Sequence, residues 1–143
     1  MCYLVRLDRT RARELRLDAV IDCVFCHADD RILHANTLAF ATRDEHPVSE
    51  GHTLIVPRRH IDDVFDLTPE EAAACFTLGR EVRDRLAVGP RPPDGYNLGV
   101  NVGVAGGQSV MHVHLHLLPR YARDVADPRG GVRNILPHRH RSS

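Results

Sequence analysis

Polar and apolar residues alternate most regularly over Met111–Arg120, where His112, His114 and His116 are interleaved with Val113, Leu115 and Leu117. A period of two is strand spacing, so the three histidines share one face and the aliphatic residues pack on the other. Four other segments read as strands: Arg31–His34 and Thr37–Thr42, joined as a hairpin at Ala35–Asn36, then Gly51–Val56, stopped by Pro57, and Tyr96–Val102. The histidine strand itself spans Val110–Leu118 and is the fifth. Apolar spacing changes to three and four after Thr68, where Ala72, Cys75, Phe76, Gly79, Val82 and Leu86 form one stripe. Thr68 as cap, Pro69 in the first turn and Glu71 as capping-box partner start this helix, and Gly89–Pro90 ends it after Ala87. Cys75 belongs to the stripe and reads as a core residue. Arg9–Val20 has the spacing of a short amphipathic helix in an N-terminal extension over residues 1–20.

Composition narrows the function classes. A chain of 143 residues has room for one core. All 19 basic residues are arginine and balance 19 acidic ones, so no global charge favours nucleic acid or a membrane surface. No apolar run approaches the roughly 20 residues of a membrane helix, and the N-terminus shows no signal-peptide pattern, so a cytoplasmic location is expected. Cys23-Val24-Phe25-Cys26 is a C-x-x-C pair suited to metal or redox chemistry. The polar His27-Ala28-Asp29-Asp30 that follows is a turn, which favours zinc over a redox pair. His27 and His34 are the rival candidate ligands nearer in sequence.

The chemistry concentrates between Asn101 and His116. A glycine-rich turn, Gly103–Gly107, exposes backbone N–H groups to an anion and permits its close approach, Gln108 and Ser109 offer hydrogen bonds, and histidines stand two residues on. A nucleophile, charge stabilisation and an acid are what phosphoryl or nucleotidyl transfer needs. A different reading makes His112, His114 and His116 ligands of one catalytic metal.

His112-Val-His114-Leu-His116-Leu-Leu resembles the signature of the histidine-triad (HIT) family of nucleotide hydrolases and transferases. Asn101–Ser109 resembles the family's approach to the triad, Pro47–His60 its Pro-x-x-x-Gly-His…Pro-basic-x-His segment, and Cys23–Cys26 the cysteine pair of many bacterial members. The resemblance implies an α+β fold: a five-stranded antiparallel sheet with one main helix on one face, joined to a second sheet in a homodimer. Its domain would span residues 21–124, leaving 125–143 as an irregular basic tail. It implies His114 as nucleophile on an α-phosphorus, giving a nucleotidyl-histidine that water hydrolyses. His116 and Gln108 would bind the reacting phosphate, beside Gly107 of the turn, and Ser109 would contact it or the leaving group. His52 and Asn101 would support the site, and Asp44 would lie near the ribose. A structural zinc would be held by Cys23, Cys26, His60 and His112.

The implied substrate is a dinucleoside polyphosphate, a choice favoured by Leu117-Leu118-Pro119-Arg120. A nucleoside phosphoramidase or adenylyl-amine hydrolase, and a phosphate-dependent nucleotidyltransferase, are the enzymatic alternatives. A nucleotide-binding module without catalysis is the other class.

Overall fold

The computed structural model describes residues 22–136. The expected helix at Arg9–Val20 and the basic His138–Arg141 end lie outside them. Five strands form one antiparallel sheet: β1 (Ile32–Ala35), β2 (Ala39–Arg43), β3 (Thr53–Pro57), β4 (Gly95–Val100) and β5 (Leu115–Arg120), in the order β1-β2-β3-β5-β4. One long helix, α1 (Pro69–Ala87), packs on β2 and β3.

The β1–β2 turn is set by Asn36, whose side-chain oxygen accepts from the backbone N–H of Leu38 and Ala39 at 3.0 and 2.8 Å. α1 starts as its sequence dictates. The Thr68 hydroxyl accepts from Glu71 N–H and the Glu71 carboxylate accepts from Thr68 N–H. Arg59 forks onto both oxygens of that carboxylate at 2.7 Å and with Thr68 holds the Glu71 carboxyl down at about 2.

Two clusters fill the space on either side of the sheet. Ala39, Ala41, Ile55, Cys75, Leu78, Val82, Val113, Leu115 and Leu117 form the larger, under α1. Cys23, Phe25, Ala28, Phe40, Leu54 and Val56 form the smaller, on the face away from the helix.

Most strand ends shift by one or two residues from the sequence expectation, and three differences, in β3, β5 and α1, have a physical reason. β3 includes Pro57 instead of stopping before it. Arg58 N–H donates to Leu38 O, so the neighbouring Ala39–Pro57 pair is the non-hydrogen-bonded kind. The Pro57 nitrogen therefore faces away from β2, and β5 pairs with β3 only over Thr53–Ile55. β5 begins at Leu115 and not at Val110, because residues 110–114 leave the sheet to reach the Cys23–Cys26 loop. Their side-chain alternation persists all the same: Val113, Leu115 and Leu117 lie in the larger core. In α1, Phe76 is 60% exposed and Leu78 is fully buried, one residue round from the expected stripe. Cys75 is buried as expected.

Candidate active site

The three histidines leave one backbone run with three different hydrogen-bond settings, and each setting fixes which ring nitrogen carries the proton. The His112 ring is fully buried, and its Nε2–H donates to the Pro57 carbonyl at 2.8 Å. Its Nδ1 therefore keeps a lone pair, 3.4 Å from Cys23 Sγ and 3.7 Å from Cys26 Sγ. His60 Nδ1 lies 3.3 Å from Cys26 Sγ. The four donor atoms of Cys23, Cys26, His60 and His112 lie within 4.8 Å of one another. Two sulfurs and two imidazoles, one with its other nitrogen already bound to a carbonyl, suit a closed tetrahedral ion. Burial and the adjacent Cys23 push the Cys26 thiol up to about 11, a cost that a cation between the sulfurs reverses. His27 and His34 are not part of this cluster.

His114 is held differently. Its Nδ1–H donates to the carbonyl of His112 at 2.8 Å, which leaves Nε2 as the lone-pair nitrogen. That carbonyl is the orienting partner which sequence reasoning did not find; only backbone geometry reveals it. The ring is 5% exposed and packs between Phe25, 5.2 Å away, and His116, 5.1 Å away. An imidazole so gripped presents one basic nitrogen in one direction, the arrangement of a nucleophile.

His116 is the complement. Val48 N–H donates to His52 Nδ1 at 3.3 Å, so His52 carries its proton on Nε2. His52 Nε2–H points at His116 Nδ1, 3.0 Å away. The His116 proton therefore sits on Nε2, which is buried and has no partner among the described residues. An unmatched buried donor beside the free lone pair of His114 Nε2 is a place that a ligand acceptor can fill. Burial, with His114 and His52 nearby, pushes the His116 imidazole down to about 4, so it is neutral at pH 7.

Asp44 Oδ2 lies 3.4 Å from His52 Nε2 and 3.8 Å from His116 Nδ1. These three groups also lie close enough to ligate an ion. The Val48 contact argues against it, since the proton it leaves on His52 Nε2 blocks the lone pair an ion would need. His112, His114 and His116 do not form a three-histidine metal site either: among the described residues the candidate ligand groups contain His112 and His116 separately, and His114 in neither.

The glycine-rich turn is built inward. Gly103 and Gly107 have φ of +69° and +86°, conformations that glycine adopts without strain. The N–H groups of Gly106, Gly107 and Gln108 donate to carbonyls within the turn, contrary to the expectation that the turn offers them to an anion. Gln108 is buried, with Oε1 accepting from Gly103 N–H at 2.8 Å and Nε2 donating to the carbonyls of Asp62 and Val110 at 2.8 and 3.2 Å. It pins the turn to the segment before α1. Asn101 Nδ2 donates weakly to Gly107 O at 3.4 Å, and Ser109 is exposed at the end of the turn.

Residues 27–123 match the HIT domain. An uncharacterised HIT-like protein of Methanocaldococcus jannaschii is 34% identical over 79% of this chain and 91% of its own length. An adenylylsulfatase of Arabidopsis thaliana is 32% identical over 72% of this chain and 54% of that protein. Among solved structures, a zinc-bound histidine triad family protein from Mycobacterium smegmatis superposes with a TM-score of 0.68 at 31% identity, covering 76% of this chain and 81% of the other. The chain belongs to the HIT family.

Proposed function

We propose that the protein is a nucleotide hydrolase that cleaves at the α-phosphate of a dinucleoside polyphosphate and releases a mononucleotide. The observation that carries this reading is the opposed pair of tautomers: His114 with a basic Nε2 and His116 with an unmatched Nε2–H. His114 Nε2 attacks the α-phosphorus, the bond to the leaving polyphosphate breaks, and a nucleotidyl-His114 forms. His116 Nε2–H donates to a non-bridging oxygen of the transferring group, where charge develops. Ser109, exposed beside the histidines, faces the phosphates or the leaving group. Water then attacks the phosphorus, the P–N bond breaks, and the imidazole is restored. Asn101, Gly107 and Gln108 shape the floor, and Asp44 lies on the ribose side. The activity fits a homodimer joined through the edge strand β4, where Leu98 and Phe76 are exposed beside a groove of about 650 Å³.

Zinc is the metal that suits Cys23, Cys26, His60 and His112. When bound it ties the N-terminal loop to the run that carries His114, and it takes no part in the transfer.

A second reading keeps the same intermediate with a different leaving group. The adenylylsulfatase relative favours an adenylyl group carried on a non-nucleotide partner, a class that includes phosphoramidates.

A chromatographic product assay decides. Purified protein is offered diadenosine tetraphosphate, adenosine phosphoramidate and adenylyl sulfate, with and without inorganic phosphate. AMP and ATP from the tetraphosphate without added phosphate supports the hydrolase. ADP formed only with phosphate makes it a transferase, and AMP from only the other two substrates supports the second reading. His114→Ala loses at least about 10³-fold in turnover while folding and nucleotide binding stay largely intact. Wild-type rates in that variant would overturn the nucleophile assignment.

A further inference from the structure

Asp44 has more structure around its carboxylate than a ribose contact requires. It stands just past the end of β2, opposite His52 just before β3, and its backbone N–H donates to the His52 carbonyl at 3.3 Å. Both carboxylate oxygens are aimed inside the chain. Oδ1 accepts the backbone N–H of His46 at 2.8 Å, closing a local turn. Oδ2 faces His52 Nε2 at 3.4 Å and His116 Nδ1 at 3.8 Å. The Asp44 side chain is only 17% exposed and that of His52 only 3%.

We propose that Asp44 is a positioning residue for the transfer: through His52 it holds His116 in the tautomer that presents Nε2–H to the reacting phosphoryl group. This rests on the His114–His116 reading above.

Proton placement links Asp44 to His116. His52 has one ring proton on the His116 side, and two acceptors share it, Asp44 Oδ2 and His116 Nδ1. The anion makes any proton between the two imidazoles more favourable there. With His52 keeping that proton, His116 cannot place its own on Nδ1 and must carry it on Nε2. Replace the carboxylate by a neutral group and the restraint weakens. His52 can then turn its donor away, and His116 divides between a donor and an acceptor form. The titratable groups facing His116 are His114 on its own run, His52 before β3 and Asp44 after β2. Among them Asp44 alone raises the proton affinity of both His52 and His116, against the burial that lowers it.

Asp44→Asn is the sharpest test, because its side-chain oxygen preserves the acceptor for His46 N–H while removing the charge. Asp44→Ala accompanies it. The expected result is a kcat lowered roughly 10–100-fold, the range for losing the partner that orients a functional histidine, with KM little changed. The acid limb of the kcat profile moves to lower pH, since the groups that must stay neutral lose the carboxylate that favoured their protonation. Nitrogen-15 NMR of the imidazoles without substrate shows His116 as the Nε2–H form in the wild type and as a mixture in Asp44→Asn. A raised KM with unchanged kcat, an unmoved acid limb and an unchanged His116 tautomer would make Asp44 a substrate contact only and overturn the proposal. The NMR result stands apart from the function: if His114→Ala turned over normally, the hydrolase reading would fall while the tautomer of His116 still decided the role of Asp44.

Discussion

His112 and His116 sit four positions apart on one run, face the same side, and end in opposite chemistry. At His112 a backbone carbonyl takes the Nε2 proton and leaves a lone pair pointing at two sulfurs. At His116 a neighbouring imidazole takes the Nδ1 lone pair and leaves an N–H with no partner among the described residues. One end has the donor set of a closed cation site; the other offers an unmatched donor to an acceptor. The difference is made by what each ring meets across the sheet, Pro57 in one case and His52 in the other. A period-two histidine pattern by itself does not assign these roles. His114 sits between them and is fixed by the His112 carbonyl, so the backbone of the cysteine-facing end also orients the proposed nucleophile.

The comparison predicts separable losses, and the largest is at the first end. Changing Cys23 and Cys26 together to Ser removes the ligand pair and with it the zinc, measured by elemental analysis. Losing a structural ion of this kind lowers Tm by more than about 10 °C, while the molecules that remain folded keep most of their turnover. Stoichiometric zinc retained in the double variant would refute the ligand set.

The reverse pattern is expected at the other end. On the proposed function, His116→Ala removes the donor to the transferring group and lowers kcat roughly 10²–10³-fold. Zinc content stays near wild type, because His116 is not part of the Cys23–Cys26–His60–His112 group, while Tm falls by a few degrees as His52 Nε2–H loses the Nδ1 acceptor. A variant that lost its zinc together with activity would dissolve the distinction between the two ends.

Acidity separates the ends more gently. His116 is held down at about 4 by burial, against about 6.5 in the unfolded chain. Between those values the unfolded chain binds the proton and the folded chain refuses it. The stabilisation is therefore whole above about 6.5, falls as pH drops toward 4, and is constant below that. Denaturant titrations of wild type and His116→Ala should differ in slope only within this window. Parallel curves would show that His116 is not desolvated as the structure has it.

The sequence disclosed the fold because its signals were local. The Thr68–Glu71 capping box, the breaker after Ala87, the Asn36 turn and the alternation around the histidines each need only a few neighbouring residues, and each corresponds to an observed feature. Strand ends were less legible, since Pro57 is tolerated only because β5 has already stopped pairing there. The Cys23–Cys26–His60–His112 grouping came from family resemblance, and the geometry brings the four together. What the sequence withheld is tautomeric: the His112 carbonyl under His114, Val48 behind His52, and a Gln108 side chain turned inward on its own loop. Those depend on backbone groups, which leave no mark in residue identity.

The smallest effect serves as a control for all of these. Thr68 lies at the start of α1, on the helix side of the sheet, and its hydroxyl accepts the Glu71 N–H at 3.2 Å. Thr68→Ala leaves that N–H without its cap and costs about 1 kcal/mol, a few degrees in Tm. Glu71 keeps its fork to Arg59, so the helix start loosens without detaching. Neither histidine end touches this cap, so zinc content, kcat and the acid limb of the pH profile should all match wild type once the protein is folded. Thermal melts paired with turnover assays check it. If so small a loss on the helix side changed the zinc content or the pH profile, the two ends would be responding to general stability, and their contrast would reflect the sheet as a whole instead of the local partners of His112 and His116.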